Sequence, residues 1–220
     1  MHPHYATPDP SAKVRGLSGT LLVLLALRAS MRVVTWLVFR LAAPSGPELT
    51  ADQFDTLRML DGALLGIENL LTLVTMIVFL VWIYRAVKAL QLMGRSTGMS
   101  PGLAVGGWFI PLGNVVLPWL SVRGVLRALE RGTVIAGVWW LVWLANMSLS
   151  GMHQLARQVM LLPELARAIP PEIYDQIFPM LESTFWPYFI ADTAAWGLLA
   201  AIVATVRGAF VSHTNPAGHA

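Results

Sequence analysis

The 220-residue chain contains no cysteine. That absence excludes disulfides, thiolate metal sites and cysteine nucleophiles, and it leaves the redox compartment unread. Charge is scarce as well. Asp, Glu, Lys and Arg make up 12% of the residues, against about 25% in soluble domains, so the chain cannot cover a water-facing surface with polar groups. The patterns of common chemistries are also missing: there is no phosphate-cradling glycine loop and no zinc spacing. His153 is the one histidine close to a predicted span, which gives neither a haem pair nor a metal triad. Nothing in the spacing of Ser150 and His153 recommends a serine–histidine–acid arrangement. No internal repeat is found, so inverted-repeat transporter architecture has no support. No catalytic residue, metal ligand or cofactor is expected.

What the chain has is apolar sequence, 56% of the residues. It is blocked into runs long enough to cross a bilayer, which takes about 20 residues each. The runs do not alternate as barrel strands do. The expected fold is therefore all-α, a polytopic integral membrane protein. Spans are predicted over 17–39, 62–84, 133–152 and 188–206. The first could pass for a signal-peptide core, but apolar character resumes at Val33, which favours a retained span. Residues 1–15 read as a disordered cytoplasmic tail, 16–208 as a single helical transmembrane domain, and 209–220 as a second disordered tail. Within the domain, 163–187 is expected to hold an extracytoplasmic interfacial helix, with Ile173, Ile177, Met180, Leu181 and Phe185 on one apolar face.

The stretch WFIPLGNVVLPW, residues 108–119, is apolar enough to enter a membrane yet holds Pro111, Gly113, Asn114 and Pro118. A proline inside a helix removes a backbone hydrogen bond and costs about 3 kcal/mol. Non-helical backbone at membrane depth survives only when buried in protein or lining a wet cavity. Residues 102–122 are thus expected to form a proline-broken re-entrant or interfacial segment; the alternative is a kinked fifth transmembrane helix. Trp108 and Trp119 suit headgroup level.

Charge chooses between these. With four spans, Lys13, Arg15, Arg85, Lys88, Arg95, Arg123, Arg127, Arg131 and Arg207 fall on one side, and the loops opposite hold only Arg58, Arg157 and Arg167. With five, that bias largely disappears. Lys and Arg concentrate on the cytoplasmic side, so four spans with both termini cytoplasmic are expected. Arg123, Arg127 and Arg131 recur every four residues and make a basic stripe. It serves either as contacts for anionic lipid headgroups or as ordinary flanking charge. The basic residues are scattered and flank apolar runs, so nucleic acid is not an expected partner.

Charged groups inside spans are expensive. Arg28 and Arg32 lie one turn apart on the first span, Glu68 lies on the second, and Asp192 lies on the last. Arg32, Glu68 and Asp192 fall in the outer half, roughly 5–10 Å from the midplane at the helical rise. Asn146 shares a stripe with Trp139, Trp143, Ser150 and His153. These groups are expected to converge, either as a buried ion-pair network or as a water-accessible site for an anion, proton or polar solute. Gly102 and Gly106, and Ala200, Ala204 and Gly208, are spaced for close helix packing.

Three stretches together carry a family resemblance: WIYRAVKAL from Trp82, SPGLAVGGWFIPLGN from Ser100, and WWLVW from Trp139. They resemble a bacterial membrane family known as domain of unknown function 4328. Its members run W-x-Y-R-x-x-x-N, then a serine-proline or serine-glycine turn, then G-W-x-x-G-W-F-x-P-x-x-N. The likeness covers roughly residues 70–205. Ala89 departs from it, standing where many members carry a polar residue. The resemblance implies a protein of the bacterial inner membrane and brings no activity with it.

Three functions compete. The first is a non-enzymatic membrane protein acting through partner, lipid or signal binding, with membrane lipid, protein partners or a second copy as its company. The second is a small channel or carrier for an ion or polar solute that uses the intramembrane charges. The third is an intramembrane enzyme acting on lipid.

Overall fold

A computed structural model describes residues 9–42, 51–161 and 170–214. Among these residues every regular element is helical. Helix α1 is Ala12–Ala42 and α2 is Ala51–Leu92. Two short helices follow, α3 at Pro101–Gly106 and α4 at Leu117–Ala128, joined by a turn containing a 3-10 element at Gly113–Val115. Helix α5 is Val134–Leu161 and α6 is Pro171–Thr214. Four stretches are long and apolar enough to cross a membrane: Ala12–Val38, Asp55–Leu92, Val134–Leu155 and Ser183–Ser212.

Local chemistry sets the helix ends, and three of the expected boundaries move. Helix α1 starts inside the stretch read as an N-terminal tail. The Asp9 carboxylate accepts the Ser11 hydroxyl (2.7 Å) and the Ser11 amide (2.9 Å), and it pairs with Arg15 at 2.9 Å. Those bonds, the Ser11 hydroxyl foremost, hold the Asp9 carboxyl below the usual carboxylate range. Residues 1–8 lie outside the described residues. Helix α2 stops where Gly94 takes a left-handed φ of 74° and the Arg95 amide turns back to the Leu90 carbonyl at 2.9 Å, a glycine-dependent C-terminal cap. The separate interfacial helix expected over 163–187 is instead, from Pro171 on, the start of α6. That helix runs 44 residues through Pro179 and Pro187, because each proline forfeits a single backbone bond that neighbouring groups in a helix bundle can replace. It also continues six residues past 208. Residues 162–169 and 215–220 lie outside the described residues.

The 102–122 stretch is not one helix. The longest helix that enters it, α4, has 12 residues, about 18 Å, well short of the roughly 30 Å hydrocarbon layer. Ser100 caps α3 by accepting the Leu103 amide at 3.2 Å, with Pro101 in the first turn. The chain then turns, and Pro118 sits in the first turn of α4. A proline there gives up an amide that has no helical partner anyway, so Pro118 starts a helix instead of breaking one.

The chain packs as two compact units. The first holds the described parts of Met1–Ala26, Thr72–Gly137 and Ala200–Ala220. Its core gathers Leu21, Phe79, Trp82, Leu126, Ile202 and Phe210, all fully buried. A lipid surround gives apolar side chains little drive to associate, so van der Waals packing and hydrogen bonds hold such a core. One such bond runs from the Trp82 indole to the Ser18 hydroxyl at 2.9 Å, while Ser18 itself donates to the Val14 carbonyl at 2.8 Å. The second unit is Leu27–Leu71 and Val138–Leu199, as far as described. It buries Trp139, Trp140, Tyr188 and Trp196 together with Asn146 and Asp192.

Candidate functional site

Two places gather the residues singled out from the sequence. In the second unit, four helices supply one charge network. Asp192 of α6 is 5% exposed, and both of its oxygens are engaged. Oδ2 accepts Arg32 Nη2 at 2.6 Å. Oδ1 accepts Trp196 Nε1 at 3.1 Å, Asn146 Nδ2 at 3.2 Å and Arg28 Nη2 at 3.3 Å. Arg32 also donates to the Tyr188 hydroxyl at 2.9 Å and lies 3.7 Å from Glu68. Glu68 takes the Thr35 hydroxyl at 2.7 Å. Two guanidiniums thus meet two carboxylates, and the sum of charge is zero.

Aromatic faces complete the site. The Arg28 guanidinium sits 4.3 Å over the Trp196 ring and Arg32 sits 5.0 Å over Tyr188. Weak hydration lets a guanidinium take such an apolar face where an ammonium would not. Tyr188, Asp192 and Trp196 are spaced by four, so one face of α6 delivers all three. On α5, Asn146 reaches the network, whereas His153 stacks on Tyr188 at 4.9 Å and lies 3.4 Å from the Thr184 hydroxyl. Ser150 donates to the Met147 carbonyl of its own helix. Beside the arginines a recess of about 180 Å³ is lined by Arg28, Met31, Arg32, Glu68 and Leu71. Asn146 Oδ1 is buried and accepts no hydrogen bond among the described residues.

In the first unit, the stretch from α3 to α4 forms a hairpin whose two ends meet. Arg95 Nη1 donates to the Ala128 carbonyl at 2.8 Å and pairs with Glu130 at 3.4 Å. Midway down α4, Gly124 lies so close to residue 97 that a Cβ there would stand 2.3 Å from the Thr97 carbonyl oxygen. At the turn, a Cβ on Gly107 would stand 2.5 Å from Leu117 Cβ. The Asn114 amide donates to the Ile110 carbonyl at 2.7 Å, which tightens the bend. Trp108, next to the turn, meets Phe79 of α2 edge-on at 5.3 Å. Helix α4 buries Pro118, Ser121, Val122, Val125 and Leu126, a regular helical stripe. Arg123 and Arg127 are exposed on its other side, with Arg131 exposed just past its end. Arg123 also lies 5.2 Å over the Trp119 ring.

A known family model, a domain of unknown function (DUF4328), matches residues 45–208, a range that contains this hairpin together with α2 and α5. The chain belongs to the DUF4328 family. No curated protein and no solved structure matches it. The DUF4328 match contains Glu68, Asn146, Asp192 and the whole hairpin, but Arg28 and Arg32 precede it. The carboxylates of the network therefore lie inside the family region, and the guanidiniums that neutralise them come from the helix before it.

Several participants carry no signal of their own in the sequence. Tyr188, Thr35 and Trp196 are residues that any membrane helix uses. Only their placement four residues to either side of Asp192 marks Tyr188 and Trp196. The close approaches at Gly107 and Gly124 lie off the expected pattern: Gly102, Gly106 and Gly208 have nothing within 4 Å of a would-be Cβ.

Proposed function

We propose that this DUF4328 protein is a multi-pass protein of the bacterial inner membrane that acts by binding and neither catalyses a reaction nor conducts a solute. Both termini are cytoplasmic in this reading, and the α3–α4 hairpin enters and leaves the membrane on the cytoplasmic face. One observation carries the argument against conduction: Arg28, Arg32, Glu68 and Asp192 pair with one another, with the arginines seated on aromatic faces. A conduit needs charge turned toward a wet path. Here the charges neutralise each other, as buried pairs must to avoid an uncompensated ion.

Two features support the hairpin's placement. The first unit contains the beginning of α1, the C-terminal half of α2, the start of α5 and the end of α6, so the chain from 93 to 133 leaves and re-enters the same body. Trp108 meets Phe79, which lies six residues, or about 9 Å of helical rise, from Arg85 toward the middle of α2. If Arg85 and Lys88 mark the headgroups, the turn of the hairpin sits at hydrocarbon depth.

The experiment is flux through liposomes containing the purified chain, read with a proton-sensitive dye and with potassium release. The binding reading expects both to equal protein-free liposomes, and it expects Arg32→Ala to impair folding without altering flux. Flux that disappears in a well-folded Glu68→Gln variant would establish the carrier reading. That second reading has one observation in its favour, the unsatisfied Asn146 Oδ1 beside Asp192, which suits a small hydrogen-bond donor.

A further inference from the structure

The hairpin carries a surface that the packing of the first unit leaves uncovered. Phe109 is 71% exposed and Leu112 87% exposed, with Ile110, Val115 and Val116 exposed around them. Five large apolar side chains within eight residues exceed what a soluble surface carries without a partner. On the same hairpin, Arg123, Arg127 and Arg131 point away from the buried face of α4. We infer that this tip and this basic stripe together form a binding site for anionic phospholipid, with acyl chains against Phe109, Ile110 and Leu112 and the headgroup phosphate on Arg123, Arg127 and Arg131. The inference rests on the proposed cytoplasmic-face placement of the hairpin and names the lipid that this placement implies.

Three observations favour lipid over a second copy or a soluble partner. The first is level. Trp108 contacts Phe79, whose near neighbours Ile77 and Val81 are exposed on the outside of a spanning helix. On a spanning helix such side chains suit an acyl layer, and the adjoining hairpin tip lies beside them. The second is order along the chain. Arg123 follows Val116 by seven residues, about 10 Å of helical rise, and Arg131 lies farther on. The basic side chains thus follow the apolar tip along the chain, the order in which a headgroup layer follows an acyl layer. The third is charge. The exposed side chains of α4 are basic, and each Lys or Arg near an anionic leaflet adds about 1 kcal/mol. The Arg123 guanidinium over Trp119 is a pairing suited to the interface, where an aromatic ring and a cation share the headgroup layer. The hairpin is therefore built as a wedge, apolar at its tip and cationic along one flank.

The absence of cysteine makes the test direct. The intact chain carrying Leu112→Cys, labelled with an environment-sensitive fluorophore, is placed in nanodiscs of phosphatidylcholine with or without phosphatidylglycerol. The expected result is blue-shifted emission, quenched by lipids carrying a quencher on the acyl chain. Native mass spectrometry of the unlabelled chain should show phosphatidylglycerol retained over phosphatidylcholine. The triple variant Arg123→Gln/Arg127→Gln/Arg131→Gln should lower that preference on the order of a hundredfold. All three side chains are exposed, so its helicity and melting temperature should stay unchanged. An aqueous emission maximum at position 112 overturns the inference. So does a triple variant that keeps the preference, or a tip label shielded only when the chain dimerises, which would assign the surface to a second copy. None of these outcomes bears on the liposome flux result. A flux-free protein with no phosphatidylglycerol preference would remove the lipid site and leave the binding reading standing.

Discussion

The first unit keeps its charged residues at or near its surface and fills its interior mainly with apolar side chains, whereas the second buries Asp61 and Asp192 and sets two arginines and Glu68 around Asp192. Both belong to the same membrane-spanning chain, so the contrast separates two ways of specifying helix packing in lipid. In the first unit, specificity comes from shape: the Phe79 and Trp82 rings meet within a buried apolar core, Gly124 lets backbone approach backbone, and Gly107 makes room for the Leu117 side chain. In the second, it comes from valence. Asp192 accepts four donors drawn from α1, α5 and α6, and only one mutual register of those helices satisfies them all. An apolar interface can slip by a small rotation with modest loss, whereas a buried carboxylate that loses its guanidinium cannot.

The contrast breaks most visibly at Asp192. Asp192→Asn keeps the shape but removes the carboxylate that Arg28 and Arg32 share. Removing one partner of a buried pair costs about 3–5 kcal/mol. Thermal unfolding in detergent should show a loss of that size, and a double-variant cycle with Arg32→Ala should be strongly non-additive. An unchanged melting temperature would mean that the network contributes nothing to the second unit.

The first unit should respond to volume, not to charge. Gly124→Ala puts a methyl group against the Thr97 carbonyl, and overpacking of this kind costs about 1–3 kcal/mol. Gly102→Ala, with open space around it, should stay within about 0.5 kcal/mol of the parent chain. Equal effects at both positions would refute the view that close backbone approach at 124 shapes the hairpin.

The smallest expected effect concerns pH and the start of α1. The Asp9 carboxyl titrates lower when folded than when free, because it accepts the Ser11 hydroxyl and amide and sits beside Arg15. Its contribution is then complete above the ordinary carboxylate value of about 3.9 and is lost as pH falls through the lower folded value. Protection of the first-turn amides of α1, taken relative to the intrinsic exchange rate at each pH, should fall below about pH 4 while protection in the middle of α1 stays unchanged. An Asp9→Asn chain should show no such dependence.

These two styles of packing differ in how far they can be read from sequence. Charges within spans are conspicuous because each one demands a partner, so Arg28, Arg32, Glu68, Asn146 and Asp192 can be grouped from their positions along the chain. Their pairing cannot: Arg28 and Asp192 are 164 residues apart, and nothing local tells an arginine which of two acids it will meet. Shape is harder still. A glycine in a helix looks the same whether it faces open space or a carbonyl, and the regular Gly102–Gly106 spacing points away from Gly107 and Gly124, where the contacts are. Prolines mislead in both directions. Pro179 and Pro187 lie within an unbroken α6, and Pro118 begins α4, because the effect of a proline depends on whether its missing amide had a partner. The four spans and the break near Pro111 are readable because hydropathy and turn chemistry act over short stretches.

Thiol labelling of single cysteines in intact cells tests most directly the claim that the chain crosses the membrane four times and that its hairpin does not. Gln53, Ser100, Gly132 and Gln176 are all exposed and can each be replaced in the cysteine-free background. An impermeant maleimide should label positions 53 and 176 from outside, and positions 100 and 132 only after the membrane is opened. Labelling of 132 from outside, with 100 protected, would place a fifth crossing between them and contradict the account.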